Sequence, residues 1–138
     1  MKLYRPTEST KFHIDYAWFE SQGQDVNVLI RKVLTPEQHE RIGESPVLVA
    51  HDYVDDDTGE VRAEDQIVRM IRTESAKDPG FITARTPVLE AAFRLFVLNG
   101  NQPLTPVEMA EIIKRRPQEI LSQLGGRVVH YGVRPIYD

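Results

Sequence analysis

The chain has 138 residues, with 17 Lys+Arg against 21 Asp+Glu and no cysteine. That length suits one compact domain or two small ones sharing a core, and 41% apolar with 28% charged residues marks a globular chain rather than a disordered one. The net charge of −4 argues against a general nucleic-acid coating protein, the lack of cysteine removes disulfides and thiolate metal sites, and no apolar run reaches membrane-spanning length, so a cytoplasmic address without a membrane partner is expected.

Residues 1–10 read as an extended arm. Phe12, Ile14, Tyr16 and Trp18 alternate with His13, Asp15 and Ala17, which predicts a half-buried strand. Packing in the core is the preferred reading of Tyr16, Trp18 and Phe19; stacking on bases is the alternative. Val26, Leu29, Ile30, Val33 and Leu34 fall at helical spacing, and Thr35-Pro36-Glu37-Gln38 is a cap-then-proline start for a short helix to about Ile42. Residues 46–54 predict a second strand, Asp55-Asp56-Asp57-Thr58-Gly59 a turn, and residues 60–62 its return strand. Residues 63–76 predict a helix with Ile67, Val68, Met70 and Ile71 inward, and Lys77-Asp78-Pro79-Gly80 is the clearest break.

Past that break the punctuation is denser. Thr86-Pro87 opens a helix whose apolar face is Leu89, Ala92, Phe93, Phe96 and Val97, and Asn99-Gly100 closes it. Thr105-Pro106-Val107-Glu108 is a capping-box start, followed by Met109, Ile112 and Ile113 on one face. Lys114-Arg115-Arg116 breaks the pattern, and Pro117 restarts it with Ile120, Leu121 and Leu124 as the buried stripe. Gly125-Gly126 ends that helix, on the expectation that glycine takes the left-handed C-terminal conformation. Residues 127–134 then read as a β-ribbon.

The predicted fold class is α+β: a small strand, helix and hairpin unit over residues 1–79, packed as one body on a three-helix, winged-helix-like unit over residues 80–138. Charge divides at the same place. Residues 1–79 carry 10 basic against 16 acidic side chains, a balance of −6, and residues 80–138 carry 7 against 5, a balance of +2.

The C-terminal part resembles the winged helix-turn-helix superfamily. The matching residues are the Leu104-Thr105-Pro106-Val107-Glu108-Met109-Ala110 run, the Ile120, Leu121 and Leu124 stripe, and the ribbon from Arg127 to Arg134. Its Pro-Leu-Thr-Pro-x-Glu start is similar to a domain shared by an RNA polymerase accessory subunit and some restriction and chromatin proteins, which implies a role near DNA or polymerase. For duplex DNA, the helix from Pro117 would enter the major groove. Gln118, Glu119, Ser122 and Gln123 would meet base edges, with Glu119 also opposing phosphate, and Lys114, Arg115 and Arg116 would hold phosphates. Arg127, His130 and Arg134 would touch the backbone or an adjacent groove. The alternative partner is a larger transcription or ribosome-associated protein complex, with the winged helix as a protein contact, and a homodimer is a further option.

The sequence His51-Asp52-Tyr53-Val54-Asp55-Asp56-Asp57 holds groups that bind hard metals, but it lacks the Asp-x-Asp-x-Asp-Gly order of a calcium loop and suits a hairpin turn better. His13, His39 and His130 share no ligand spacing. There is no glycine-rich phosphate loop, activated nucleophile or readable pair of carboxylates. The expectation is a non-enzymatic protein with no catalytic or metal residues and no cofactor.

Overall fold

The computed structural model describes residues 5–42, 50–54 and 61–137. Strand β1 (Phe12–Ile14) leads into helix α1 (Tyr16–Ser21). The alternation expected to run to Trp18 stops at Ile14, because the Asp15 carboxylate accepts from the Trp18 amide at 3.3 Å and caps a helix there. Helical spacing then buries Phe19 and leaves Tyr16 exposed, so Tyr16 does not extend the face of Phe12 and Ile14. Helix α2 (Val26–Lys32) is capped by Asp25, which accepts from Asn27 at 2.9 Å. Helix α3 (Pro36–Ile42) begins in a reciprocal box, with Thr35 N–H donating to Gln38 Oε1 at 2.9 Å and Gln38 N–H to Thr35 Oγ1 at 3.2 Å.

Strands β2 (Ala50–Val54) and β3 (Val61–Asp65) pair antiparallel, from Ala50↔Asp65 to Val54↔Val61. The expected turn at Asp55 to Gly59 lies outside the described residues, as do residues 1–4, residues 46–49 of the second strand, and the aspartates Asp55, Asp56 and Asp57 of the metal alternative. Helix α4 (Gln66–Thr73) buries Ile67, Met70 and Ile71, whereas Val68, expected inward, is exposed. A 3₁₀ turn (Ser75–Lys77) follows. Arg41 of α3 grips Glu74 with both guanidinium nitrogens and holds that carboxyl below its usual range.

Helices α5 (Val88–Leu98), α6 (Pro106–Ile113) and α7 (Pro117–Leu124) and strand β4 (Val133–Pro135) complete the chain. Two of the three Thr-Pro pairs cap helices as expected. The third does not: Thr86 Oγ1 accepts from Thr83 N–H at 2.9 Å, and α5 starts after Pro87 with no side-chain cap. The fold is therefore mixed α+β, with helices and two two-stranded antiparallel sheets among the described residues. No helix among these residues is long and apolar enough to cross a membrane.

Helix α5 is the axis of the core. Its Ala91, Ala92, Phe93, Leu95 and Phe96 are buried, and it packs on α4, α6, α7 and β1. One cluster joins Phe12, Ile14 and Phe19 to Ile67 and Ile71, and these to Met109, Ile113, Ile120, Leu124 and Val133. Apolar side chains before and after Pro79-Gly80 thus share one core, which short helices need because none can bury its stripe alone.

Candidate nucleic-acid interface

Helices α6 and α7, the pair read from the sequence as a helix-turn-helix, pack on each other, and local chemistry sets both starts. Thr105 N–H donates to Glu108 Oε1 at 2.9 Å, and Glu108 N–H to Thr105 Oγ1 at 3.2 Å. These bonds complete the capping box and hold the Glu108 carboxyl below its usual range. Lys114 closes α6 in the left-handed region (φ 65°, ψ 43°), and its N–H returns to Ala110 O. A non-glycine residue there carries strain, but it reverses the chain within two residues. Arg116 is the N-cap of α7 and makes no side-chain capping bond; Pro117 has no N–H to cap, and Glu119 N–H donates to Arg116 O at 3.0 Å. Met109 and Ile113 are buried while Ile112, expected beside them, is 51% exposed.

The expected contact residues separate into two groups. Lys114, Arg116 and Arg127 are exposed, and their side chains make no hydrogen bond or ion pair among the described residues. Gln118 and Ser122 are exposed one turn apart on α7, the Ser122 hydroxyl donating back to Glu119 O at 2.9 Å, and Gln123 is half-buried. The other cations are committed within the fold. Arg115 donates from Nη2 to Ala84 O at 2.7 Å and from Nη1 to Glu119 Oε1 at 3.1 Å. It therefore ties the start of α7 to the segment before α5, and it partly neutralises Glu119. Arg134 Nη1 lies 3.1 Å from Asp15 Oδ2, linking β4 to the cap of α1.

The ribbon differs most from expectation. Residues 127–129 form no strand. His130 and Val133 make a single bridge around a Tyr131-Gly132 turn, and β4 then pairs with β1, in register Phe12↔Pro135, His13↔Arg134 and Ile14↔Val133. The opposite edge of β1 is also occupied. Phe12 and Leu104 exchange backbone bonds of 2.8 and 3.1 Å. The Asn101 amide accepts from Ile14 N–H at 2.8 Å and donates to Ile14 O at 2.9 Å. An N-terminal strand thus lies between the start of the helix-turn-helix and the ribbon's last strand. In place of a free two-stranded wing, the structure has a short turn laced into a small sheet, with His130 half-buried beside it.

Gly125 also departs from expectation. Its φ is −88°, which is not left-handed. Glycine is needed there for space, because a Cβ would stand 2.8 Å from Leu121 O and 3.0 Å from Pro6 Cγ. The residues just before β1 therefore pass against the end of α7. Sequence reasoning missed Asn101, whose only local signal is its place in the Asn99-Gly100-Asn101 turn. Among the described residues no group of three or more His, Asp or Glu side chains is placed to hold a metal. Compared with family models, curated proteins and solved structures, the chain gives no match.

Proposed function

We propose that this chain is a non-enzymatic accessory protein that docks on duplex DNA through α7 and its two ends. The observation that carries the reading is the placing of uncommitted charge. Lys114 and Arg116 stand at the start of α7 and Arg127 just past its end, with Gln118 and Ser122 exposed on the helix between them. A helix is about 10–12 Å across with its side chains, which the B-DNA major groove, about 12 Å wide, admits. Cations at both ends of a helix seated in the groove meet flanking phosphates, while the Gln118 amide faces base edges and Ser122, whose hydroxyl donates to Glu119 O, keeps its oxygen as an acceptor. Arg115 and Arg134 belong to the scaffold in this reading, and the pairing of Glu119 with Arg115 reduces its repulsion of phosphate.

Fluorescence anisotropy with a labelled duplex at low salt tests the proposal. Binding is expected for the unmodified chain and is expected to vanish when Lys114, Arg116 and Arg127 are all replaced by Ala. Absence of binding at low salt, or equal binding by the triple variant, overturns it. A second reading, contact with a protein complex, is favoured by the two internal ion pairs, which shrink the basic surface, and by Val128, 67% exposed beside Arg127. A defined partner recovered from nuclease-treated lysate, retained by the triple variant and lost by Val128→Asp, would support that reading.

A further inference from the structure

Away from the helix-turn-helix surface, α2, α5 and the Tyr131 turn enclose a pocket of about 200 Å³, lined by Leu29, Lys32, Val33, Glu90, Phe93 and Tyr131. The volume limits what could enter. A dry cavity of about 150 Å³ holds benzene, whereas drug-sized ligands occupy roughly 300–1,000 Å³. One aromatic ring with a short tail lies between these limits. The accessible apolar lining is the exposed ring of Tyr131 with half-buried Leu29 and Val33; the buried Phe93 backs Tyr131, at 5.6 Å between ring centroids and 34° between planes.

Charge then selects the tail. Glu90 is already engaged by Arg94 at 3.5 Å. Lys32 is exposed at the rim, and its ammonium makes no hydrogen bond or ion pair among the described residues. Lys32 is therefore the charged lining group without an ion pair.

A third observation comes from the backbone. Tyr131 has φ 56° and Gly132 φ 69°, a pair of left-handed residues that gives a tight primed turn. Asn, Asp or Gly suit the first position, and a bulky aromatic there is an outlier that carries strain. The turn does not require a tyrosine. Placing a ring over Phe93 at the pocket wall does.

We propose that this pocket binds a small aromatic carboxylate, a single ring with a one- or two-carbon acid tail, with the ring against Tyr131, Leu29 and Val33 and the carboxylate on Lys32. The site does not depend on the duplex-docking reading, and either can fail alone.

The test is an NMR titration of the full chain with phenylacetate, benzyl alcohol and benzylamine. Phenylacetate is expected to give saturable shifts at the amides of Val33, Phe93 and Tyr131. Benzyl alcohol should bind more weakly by on the order of tenfold, the worth of one charge-assisted contact, and benzylamine more weakly still. Lys32→Met, which keeps the aliphatic stem, should reduce phenylacetate to the level of benzyl alcohol and leave benzyl alcohol unchanged. Tyr131→Asn suits the left-handed backbone and should melt cooperatively while binding neither. If that variant does not fold, Tyr131→Phe, which keeps the ring, must bind phenylacetate as the parent does. The proposal is overturned by failure to saturate at millimolar probe, by shifts scattered outside the pocket, by Lys32→Met binding phenylacetate like the parent, or by a folded Tyr131→Asn that still binds it.

Discussion

Replacing Gly132 with alanine tests how the last strand is brought onto the first. Gly132 has φ 69°, and a Cβ built on it would stand 2.1 Å from Phe19 Cε2, with Cζ and Cδ2 of the same ring at 2.8 and 2.9 Å. Phe19 cannot swing aside easily, since it is 2% exposed and meets Trp18 edge-on at 5.2 Å between ring centroids. Two costs therefore add. A left-handed alanine costs about 1–2 kcal/mol, and forcing a buried ring to move costs about 1–3 kcal/mol. Backbone movement would also disturb the 2.8 Å bond from Asp15 N–H to Gly132 O, next to the cap of α1. The expected loss is roughly 2–5 kcal/mol, a large share of the roughly 5–15 kcal/mol typical of a domain. Urea unfolding followed by Trp18 fluorescence reads it directly, because Trp18 is the only tryptophan and touches Phe19. With a slope of about 1–3 kcal/mol per molar urea, the midpoint should fall by roughly 1 M or more. A loss below about 0.5 kcal/mol, the range of neutral surface changes, would refute the packing of Phe19 under this turn.

Other substitutions separate scaffold from contact residues. Asn101→Asp keeps an acceptor for Ile14 N–H but removes the donor to Ile14 O, so a loss of about 1–3 kcal/mol is expected; unchanged urea stability would exclude the side-chain clamp. Arg115→Ala should cost about 1–2 kcal/mol by removing the charged bonds to Ala84 O and Glu119, discounted for partial exposure, and a variant as stable as the parent would contradict the tether. Lys114→Gly should do the reverse. Relief of left-handed strain less the entropy of glycine leaves a gain of about 0.5–1 kcal/mol, while duplex affinity falls. A variant that is destabilised, or that binds duplex as well as the parent, goes against the role given to Lys114.

What the sequence made legible is what neighbours in the chain decide. The box at Thr105, the cap at Thr35, the breaks at Lys114 and Asn99, and the stripe of Ile120 and Leu124 all depend on groups within four residues. The failures have other causes. Alternation through Trp18 looked like one strand because the competing Asp15 cap uses a polar side chain that also fits a strand's outer face. The partner of β1 lies about 120 residues away, and alternation carries no information about which edge it meets. Arg115 and Arg134 looked like phosphate contacts because a long cation reads the same in sequence whether its guanidinium faces solvent, a carbonyl or a carboxylate. The same limit hid the pocket, whose Lys32, Glu90 and Tyr131 meet only through tertiary packing.

The salt dependence of duplex binding tests the central claim most directly. If Lys114, Arg116 and Arg127 are the phosphate contacts, three neutralised charges give a slope of about −2.7 in log K against log salt, or a loss of roughly 40-fold between 50 and 200 mM. Each single alanine variant should reduce the slope by about 0.9. A slope near zero, or one that the three variants leave unaltered, would contradict docking through α7. A slope near −4.5 would mean that Arg115 and Arg134 leave their partners to bind, against the scaffold role that their ion pairs assign them.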